Sequence, residues 1–359
     1  MKIAVAISGG VDSVRAAVLL QEQGHDVFGI HMRLLPLPGD VDGTAEIIAE
    51  REVLLRGLAA HFDIPLTMVD LRKEFESRVI TPFIEAYQGG MTPNPCITCN
   101  PAIKFGLLLS DALGCGAERL ATGHYARLSP PGGAGADRYQ LHRAEDRSKD
   151  QSYFLMGLSQ EQLARAVFPL GTTSKRETLA WAERSGIKQF LTEDSQEICF
   201  ILSGKYPEFV RKRAGLKALS GGPILDMDGN RLGEHKGIYS YTVGQRRGLG
   251  IASSEPYYVT GIEPATNTVR VGRAKDLVRG EFMVTGLNWV SVDAPTGPIE
   301  CEARIRNLHA PSRAEVTPLG ANTASVRFNV PQRAVTPGQA AVFYSGDLLL
   351  GGGTIALPS

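Results

Sequence analysis

The sequence predicts an α/β protein in which a doubly wound parallel sheet is followed by two small β domains. In the first two hundred residues, short apolar runs alternate with helical patterns, and strands separated by helices are typical of a parallel sheet. After about residue 205, short extended runs appear between Gly, Pro and turn pairs such as Asp228-Gly229. At roughly 100–200 residues per domain, a chain of 359 residues has room for two or three compact units.

The predicted strands of the first half are apolar runs, and the predicted helices carry apolar residues at a spacing of three to four. In chain order we predict strand 2–7, helix 12–23, strand 27–32, helix 44–62, strand 66–69, a helix over 105–113 and strand 120–123. Parallel sheets of this kind bind ligands at the carboxyl ends of their strands. The segments after these strands are therefore the first candidates for a site.

The second half is predicted to consist of β structure only. Its extended runs are 222–225, 257–262, 268–271, 283–289, 302–305, 341–344 and 348–355. We expect a seam near 275–280, which gives three domains at 1–205, 206–278 and 279–359.

Composition and charge exclude several classes of protein. Thirty-eight basic residues balance thirty-eight acidic ones, and 43% hydrophobic content is too ordinary for a disordered or collagen-like chain. No apolar run approaches the ~18 residues that a membrane helix needs. The apolar run at the N-terminus ends in Gly-Gly-Val-Asp rather than in the small-residue cleavage site of a secretory signal peptide, so we interpret it as a buried strand. We therefore expect a cytoplasmic protein with no membrane partner.

Zero net charge does not exclude a local basic surface. Between Lys205 and Arg247 nine Lys or Arg residues stand against four Asp or Glu residues. This stretch is either a face for nucleic acid or an ordinary solvated surface.

The segment from Ser8 to Ser13, Ser-Gly-Gly-Val-Asp-Ser, lies between the first strand and the first helix. Glycines allow a phosphate to approach the backbone, and a helix N-terminus presents free amides to an anion. Ser8 and Ser13 add hydroxyl donors, and Asp12 can hold Mg²⁺ or orient the loop. A chance glycine-rich turn is the alternative, which the position after the first strand disfavours.

The five cysteines indicate reactive chemistry more than a disulfide framework, because their number is odd. We expect Cys115 and Cys301 to be small buried hydrophobes. Cys96 and Cys99 form a C-x-x-C pair on a loop stiffened by two prolines. A thiol near a helix N-terminus and beside Lys104 is predicted to have a lowered pKa.

Three further segments are ambiguous when taken singly. His124 at the end of a strand could be a core histidine, the segment starting at Lys149 could be a plain helix start, and Cys199 could be structural. Read in order, however, the chain carries SGGVDS, TPNP-x-x-x-CN-x-x-IKF, ATGHYAR, KDQSYFL, SQEICFI, YTVGQRRGLG and TPGQAAVFY with LGGG closely behind. These motifs resemble those of the tRNA 2-thiouridylases, the MnmA/TrmU family of the ATP-pyrophosphatase superfamily, along nearly the whole length.

The resemblance implies an adenine-nucleotide-alpha-hydrolase-like sheet and a sulfur-transferring enzyme that uses ATP and Mg²⁺. Family members adenylate the C2 oxygen of uridine 34, the wobble base of tRNA, and replace it with sulfur. The implied ATP-binding residues are Ala6, Ile7, Ser8, Gly9, Gly10, Val11, Asp12, Ser13, Met32 and Gly123.

The resemblance also implies two catalytic cysteines. Cys199 would carry a persulfide received from a sulfur-relay protein or cysteine desulfurase. Cys99 would attack it, which leaves a transient Cys99–Cys199 disulfide. Thiolates are the nucleophiles in such steps, so the residue types fit the chemistry.

Ten positions match residues that contact tRNA in the family, and tRNAs of the Lys, Glu and Gln type are the expected partners. A wobble base must leave its stack to enter such a pocket. Asn94, Pro95 and Cys96 would line the flipped base, and the other contacts would be His124, Lys149, Asp150, Gln151, Arg306, Asn307 and Gln339.

The sequence departs from the family pattern in two places. Cys96 stands where many members have Asp, so that Cys96, Cys99 and Cys199 could instead hold a [4Fe–4S] cluster with one open iron. Asn307 follows Arg306 where the family often has Tyr, which puts a stacking contact in doubt. Two other functions remain: an ATP pyrophosphatase of the amide-forming or ligase type, and a non-enzymatic RNA-binding protein.

Overall fold

The computed structural model describes residues 1–35, 44–132, 137–187, 198–202, 205–214 and 220–357. Residues 195–197 of the SQEICFI motif and Lys217 of the basic stretch lie outside these ranges.

The strands of the described residues fall into three sheets. In chain order they are β1 (Lys2–Ala6), β2 (Asp26–Arg33), β3 (Leu66–Asp70), β4 (Arg119–Ala121), β5 (Ala126–Ser129), β6 (Gln140–Arg143), β7 (Ala166–Val167), β8 (Gly222–Leu225), β9 (Arg231–His235), β10 (Tyr258–Glu263), β11 (Thr268–Gly272), β12 (Val278–Trp289), β13 (Ile299–Arg304), β14 (Ser312–Pro318), β15 (Thr323–Arg333), β16 (Ala340–Ser345) and β17 (Leu348–Ile355).

The α-helices of the described residues lie in the first 213 positions. They are α1 (Val11–Glu22), α2 (Thr44–His61), α3 (Arg72–Phe75), α4 (Thr81–Gln88), α5 (Pro95–Cys99), α6 (Leu109–Gly114), α7 (Gln160–Arg165), α8 (Lys175–Arg184) and α9 (Tyr206–Arg213). Two π-helical segments, Glu76–Ile80 and Asn100–Leu108, continue α3 and α5 into the helices that follow them.

The first sheet is parallel throughout and has the strand order β3-β2-β1-β4-β7. Side chains alternate between its two faces because successive strand residues point to opposite sides. Ile3 and Val5 therefore pack with Val14 of α1 on one face, whereas Ala4 packs on the other with Phe105. This confirms the predicted doubly wound α/β domain, and it places the ends of β1, β2 and β4 at one edge.

The second sheet has the order β10-β11-β8-β9. Its β8–β9 hairpin turns at the predicted pair Asp228-Gly229, where Gly229 has a φ of 88°. The Asp226 carboxylate accepts hydrogen bonds from the Asp228 and Asn230 amides at 3.0 and 2.8 Å. The predicted turn is therefore confirmed.

The third sheet is a closed barrel of β12, β15, β14, β13, β16 and β17, because β12 pairs with both β15 and β17. A short 3₁₀ turn, Ala274–Leu277, leads into it from the second sheet. The hairpin β5–β6, which was not predicted, belongs to the first part of the chain but pairs with β17. Leu348 stands opposite His142, and the Arg143 amide donates to the Asp347 carbonyl at 2.9 Å.

No helix within the described ranges is long and apolar enough to cross a membrane.

Candidate active site

A cavity of about 470 Å³ opens at the carboxyl ends of β1, β2 and β4. It brings together most of the residues that the sequence analysis assigned to nucleotide binding. Among its lining residues are Ala6, Ile7, Ser8, Gly10, Asp12, Ser13, Met32, Lys104, Gly123, His124, Gln151, Cys199 and Phe200.

The loop after β1 is closed by its own serines. Ser13 Oγ donates to the Gly10 carbonyl at 2.8 Å, and the Ser8 amide donates to Ser13 Oγ at 3.2 Å. Gly9 has a φ of 88°, a conformation that side chains disfavour, and Gly10 is the N-cap of α1. The loop thus presents the free amides at the start of α1 to the cavity, which suits an anionic ligand.

Gly123 is required where β4 ends against this loop. A Cβ atom there would lie 2.8 Å from the Asp12 carbonyl carbon and 2.8 Å from the Ser13 amide nitrogen. Any side chain would push the loop away, so glycine lets the end of β4 approach the start of α1.

Asp12 has partners that the sequence did not reveal. Lys175 Nζ lies 2.9 and 2.8 Å from its two carboxylate oxygens, and the Tyr125 hydroxyl donates to Oδ1 at 2.8 Å. Tyr125 also contacts Thr178 Oγ1 at 3.1 Å. These contacts orient the loop, as one of the two expected roles of Asp12 requires. The only sequence signal was the capping box of Ser174 and Glu177, which predicts where α8 begins but not what Lys175 touches.

The wall formed by the end of β2 is held in a single arrangement. His31 Nδ1 lies 2.7 Å from the Ile7 carbonyl, and burial lowers the pKa of His31, so its neutral ring donates this bond. Arg33 makes two 2.7 Å hydrogen bonds to Glu52. Met32 lies between these residues and faces the cavity.

The first two cysteines lie at opposite ends of helix α5. Pro95 is its first residue, and Asn94 caps it by accepting a hydrogen bond from the Cys96 amide at 3.2 Å. Cys96 is exposed, whereas Cys99 is 9% exposed. None of Asn94, Pro95, Cys96 and Cys99 lines the 470 Å³ cavity itself.

Cys199 is exposed and lines the cavity. Although solvent reaches it, the surrounding protein desolvates its thiolate and raises the pKa to about 12, with the nearby Cys96 and Cys99 thiols acting in the same direction. Desolvation by the surrounding protein also raises the pKa values of the exposed Cys96 and the buried Cys99, and Lys104 opposes the effect in all three. The predicted lowering of the thiol pKa is therefore wrong in this state, because desolvation outweighs the lysine.

The expectation that Cys115 and Cys301 are both buried is confirmed for only one of them. Cys301 is buried in the barrel core, as predicted. Cys115 is exposed, so the prediction of a buried side chain is wrong. It caps the C-terminus of α6, where the chain leaves the core.

Comparison with known families decides the identity. Residues 1–203 match the profile of the tRNA methyl transferase HUP domain, residues 208–273 the tRNA methyl transferase PRC-barrel domain, and residues 279–355 the aminomethyltransferase beta-barrel domain. The chain is 47% identical to the tRNA-specific 2-thiouridylase MnmA of Syntrophotalea carbinolica, over 99% of this chain and 98% of that one. The chain belongs to the MnmA family. Relatives from Gloeothece citriformis and Roseiflexus sp. are each 44% identical over 99% of both chains.

The MnmA-family positions expected to contact tRNA lie in different settings. His124 is 9% exposed and lies 2.7 Å from Thr122 Oγ1, and its pKa is lowered well below 6.5 by burial and by Lys104. Gln151 lines the cavity and accepts a hydrogen bond from the Tyr125 amide at 3.1 Å. Lys149 is exposed.

Asp150 does not have the exposure that a direct tRNA contact needs. Its side chain is 3% exposed and forms an ion pair with Arg304 of β13 at 2.9 Å. It also accepts hydrogen bonds from the Ala144 amide and from the amide and hydroxyl of Ser152. In this member of the MnmA family, Asp150 therefore joins the catalytic domain to the barrel.

The expected barrel contacts are also spread out. Arg306 is exposed, with Nη1 3.5 Å from the Ala334 carbonyl. The Asn307 carbonyl accepts a hydrogen bond from Arg304. Gln339 Nε2 donates to the Thr92 carbonyl at 2.7 Å, so it contacts the segment that precedes α5.

The basic stretch does not form one continuous element. Arg213 on α9 pairs with Glu76 of the catalytic domain at 2.8 Å, and Arg231 pairs with Glu234 within β9. Arg246 and Arg247 are exposed on a loop of the central domain, and Arg246 lines a second recess there.

The thiols of Cys96 and Cys99 in α5 and the thiol of Cys199 are not arranged to hold an iron–sulfur cluster in this structure. They are close enough to influence one another's pKa, yet no group of three potential metal ligands converges among the described residues. The carboxylate of Asp12, for which holding Mg²⁺ was one of two expected roles, contacts Lys175 through both oxygens.

Proposed function

We propose that this protein catalyses the ATP-dependent 2-thiolation of uridine 34 in tRNA. The observation that carries the proposal is that one cavity is lined both by the loop Ser8–Ser13 after β1, called the phosphate loop below, and by Cys199. A nucleotide bound at the loop would place its phosphates in the same space as the thiol. An amide-forming or ligase enzyme has no use for a cysteine at that position.

The phosphate loop would hold the triphosphate through the amides of α1, with Ser8 and Ser13 as further donors. The C2 oxygen of the uridine attacks the α-phosphate and pyrophosphate leaves. The resulting adenylate converts a poor leaving group into AMP. Mg²⁺ would neutralise charge on the phosphates, and the Asp12 carboxylate, which contacts Lys175, still has lone pairs with which it would bind the ion.

The sulfur step is proposed for Cys199 and Cys99. Cys199 carries a persulfide, and the Cys99 thiolate attacks the Cys199 sulfur, which forms a Cys99–Cys199 disulfide and releases hydrosulfide. Hydrosulfide attacks C2 of the uridine and AMP leaves with the oxygen. An external thiol then reduces the disulfide by two electrons before the next cycle. Loading of Cys199 with sulfur requires a donor persulfide, because forming the Cys199 persulfide from sulfide would need a two-electron oxidant.

The proposal is tested by thiolation of an unmodified tRNA carrying U34, with ATP, Mg²⁺ and a persulfide donor, and with 2-thiouridine measured by mass spectrometry. Cys99→Ser and Cys199→Ser should each abolish the product, whereas Cys115→Ser, at an exposed cysteine outside the cavity, should retain it. Full activity of Cys199→Ser on an amine substrate would instead establish a ligase-type enzyme. An intact site with no ATP consumption would favour an RNA-binding protein.

Cys96 allows a second route for the same reaction, in which Cys96, Cys99 and Cys199 hold a [4Fe–4S] cluster that binds sulfide. The three thiols would first have to converge, because the described residues contain no ready metal group. Anaerobic reconstitution should then give bound iron and absorbance near ~400 nm. Cys96→Asp separates the routes: it should keep persulfide-driven activity but lose any activity that depends on the cluster.

The proposed tRNA contacts are His124, Lys149, Gln151 and Arg306, with Asn94, Pro95 and Cys96 beside the flipped base. Recognition of a single-stranded loop by hydrogen bonds and aromatic contacts is the expected mode. Arg246 and Arg247 would bind backbone phosphates, so tRNA affinity should fall with rising salt.

A further inference from the structure

The three domains of the protein meet at one residue, Thr92. Its amide donates to the Pro337 carbonyl at 2.8 Å, and its carbonyl accepts a hydrogen bond from Gln339 Nε2 at 2.7 Å, so the barrel holds both sides of its backbone. Its hydroxyl lies 3.2 Å from Thr242 Oγ1 of the central domain. Thr92 is thus tied to both β domains although it belongs to the catalytic domain.

Two glycines allow these close approaches. A Cβ atom on Gly338 would lie 2.9 Å from Met91 Cβ and 2.9 Å from the Thr92 amide nitrogen. A Cβ atom on Gly90 would lie 2.9 Å from side-chain atoms of Ile262 and Pro264 in the central domain. Gly338 and Gly90 also have positive φ values, +88° and +70°, which residues with a side chain rarely adopt. Neither position therefore accepts a larger residue without strain.

The segment after Thr92 is stiff and short. Pro93 and Pro95 each fix their own φ and restrict the residue before them. Asn94, which lies between them, caps α5 through the Cys96 amide, and α5 ends at Cys99. A displacement of the Thr92 backbone is therefore transmitted to α5, because the two prolines leave the residues between them little freedom to adjust.

We propose that Gln339 is a positioning residue that fixes the cysteine helix α5 from the barrel, by holding the backbone of Thr92. This deepens the proposed thiolation and rests on it, since the value of a fixed α5 is that Cys96 and Cys99 keep their positions relative to Cys199. Thr242 provides the corresponding tie from the central domain. A tRNA that docks on either β domain is thereby coupled to the reacting thiols without touching them.

The proposal differs from a direct tRNA contact by Gln339, because a positioning role acts in the protein without tRNA. The test is amide hydrogen exchange of residues 92–99 in the tRNA-free full chain. Gln339→Glu keeps the side-chain volume but removes the donor to the Thr92 carbonyl. We expect exchange in 92–99 to rise at least fivefold, and kcat for thiolation to fall at least fivefold with an unchanged Kd for ATP.

The matched control is Gln332→Glu, which removes the same kind of amide donor elsewhere in the barrel, from a side chain that bonds the Val330 carbonyl. It should leave exchange in 92–99 as in the wild type. Thr242→Val, the second variant, should raise exchange in the same segment. Wild-type exchange in Gln332→Glu together with raised exchange in Thr242→Val would support the positioning role of Gln339.

Wild-type exchange of 92–99 in Gln339→Glu, together with weaker tRNA binding, would overturn the proposal and leave Gln339 as a tRNA contact only. Unchanged exchange with unchanged activity would overturn it as well. Failure of the wild type to thiolate tRNA would remove the proposed function, and the exchange result would still report whether Gln339 holds the helix.

Discussion

Lys175 Nζ and the Asp12 carboxylate form an ion pair at 2.8 Å, which links the start of α8 to the phosphate loop. The two side chains are 10% and 28% exposed, so solvent screens the pair only partly. A carboxylate in a loop that binds phosphates repels its ligand unless a cation compensates it. Lys175 supplies that cation from a point 163 residues away in the chain.

Replacing Lys175 by Met should weaken ATP binding by about 10–100-fold, because the uncompensated Asp12 charge would face the phosphates. The affinity can be measured by calorimetry with a non-hydrolysable ATP analogue and Mg²⁺. Lys236→Met, at an exposed lysine of the central domain, is the control and should bind as the wild type does. Equal affinities in the two variants would contradict the role assigned to Lys175.

Gly123→Ala should displace the phosphate loop, because the added methyl group would lie 2.8 Å from backbone atoms of Asp12 and Ser13. Backbone atoms cannot yield as a flexible side chain can, so we expect ATP affinity to fall at least tenfold while the fold persists. Gly114→Ala adds the same methyl group with nothing within 4 Å and should be neutral. The same calorimetric titration serves both variants.

Asp150→Ala should destabilise the junction between the catalytic domain and the barrel by about 3–5 kcal/mol, since it leaves the Arg304 guanidinium without its counter-charge. We expect the thermal midpoint to fall by roughly 10 °C. Asp293→Ala removes an ion pair whose carboxylate is 94% exposed, and its cost should be at most about 1 kcal/mol. Weaker tRNA binding by Asp150→Ala at unchanged stability would show a direct contact instead.

His124 should make stability depend on pH below neutrality. Burial lowers its pKa well below 6.5, so between these two values the unfolded chain binds a proton that the folded protein does not. Its contribution to stability is complete above pH 6.5 and is lost as the pH falls towards the folded pKa, by about 1 kcal/mol between pH 7.5 and 5.5.

His124→Gln should reduce the difference in unfolding free energy between pH 7.5 and pH 5.5 by that amount, as measured by denaturant titration at both values. The other histidines are unchanged and serve as the internal control. An identical pH dependence in the variant would show that the pKa of His124 is the same in the folded and unfolded protein.

Local pattern predicted the elements that are complete in themselves. The first strand and helix, the β8–β9 turn and the strand Leu348–Ile355 follow from runs of apolar residues and turn residues, and the structure has them. The hairpin β5–β6 was missed because its four-residue strands gain their pairing from β17, far away in the sequence. Partners that arrive from distant segments leave no local signal.

The site residues fall into the same two groups, those predictable from local sequence and those that only packing brings to the site. Ser8, Gly10 and Ser13 could be predicted, since a glycine-rich loop between a strand and a helix has one common use. Lys175 could not, because only the packing of α8 on α1 brings it to Asp12. The thiol pKa values were predicted in the wrong direction for a related reason: sequence shows the neighbouring lysine but not the depth of burial.

The hairpin β5–β6 also imposes an order on biosynthesis. His142 leaves the ribosome about two hundred residues before its partner Leu348. At ~5–20 residues per second, the strand waits roughly 10–40 s with one edge unpaired. Arg143 of β6, whose guanidinium finally lies over the Tyr344 ring, places charge on that edge in the meantime and discourages wrong pairing. A message truncated before the codon for Leu348 would release a chain whose catalytic domain is fully translated but whose hairpin β5–β6 lacks the strand it pairs with.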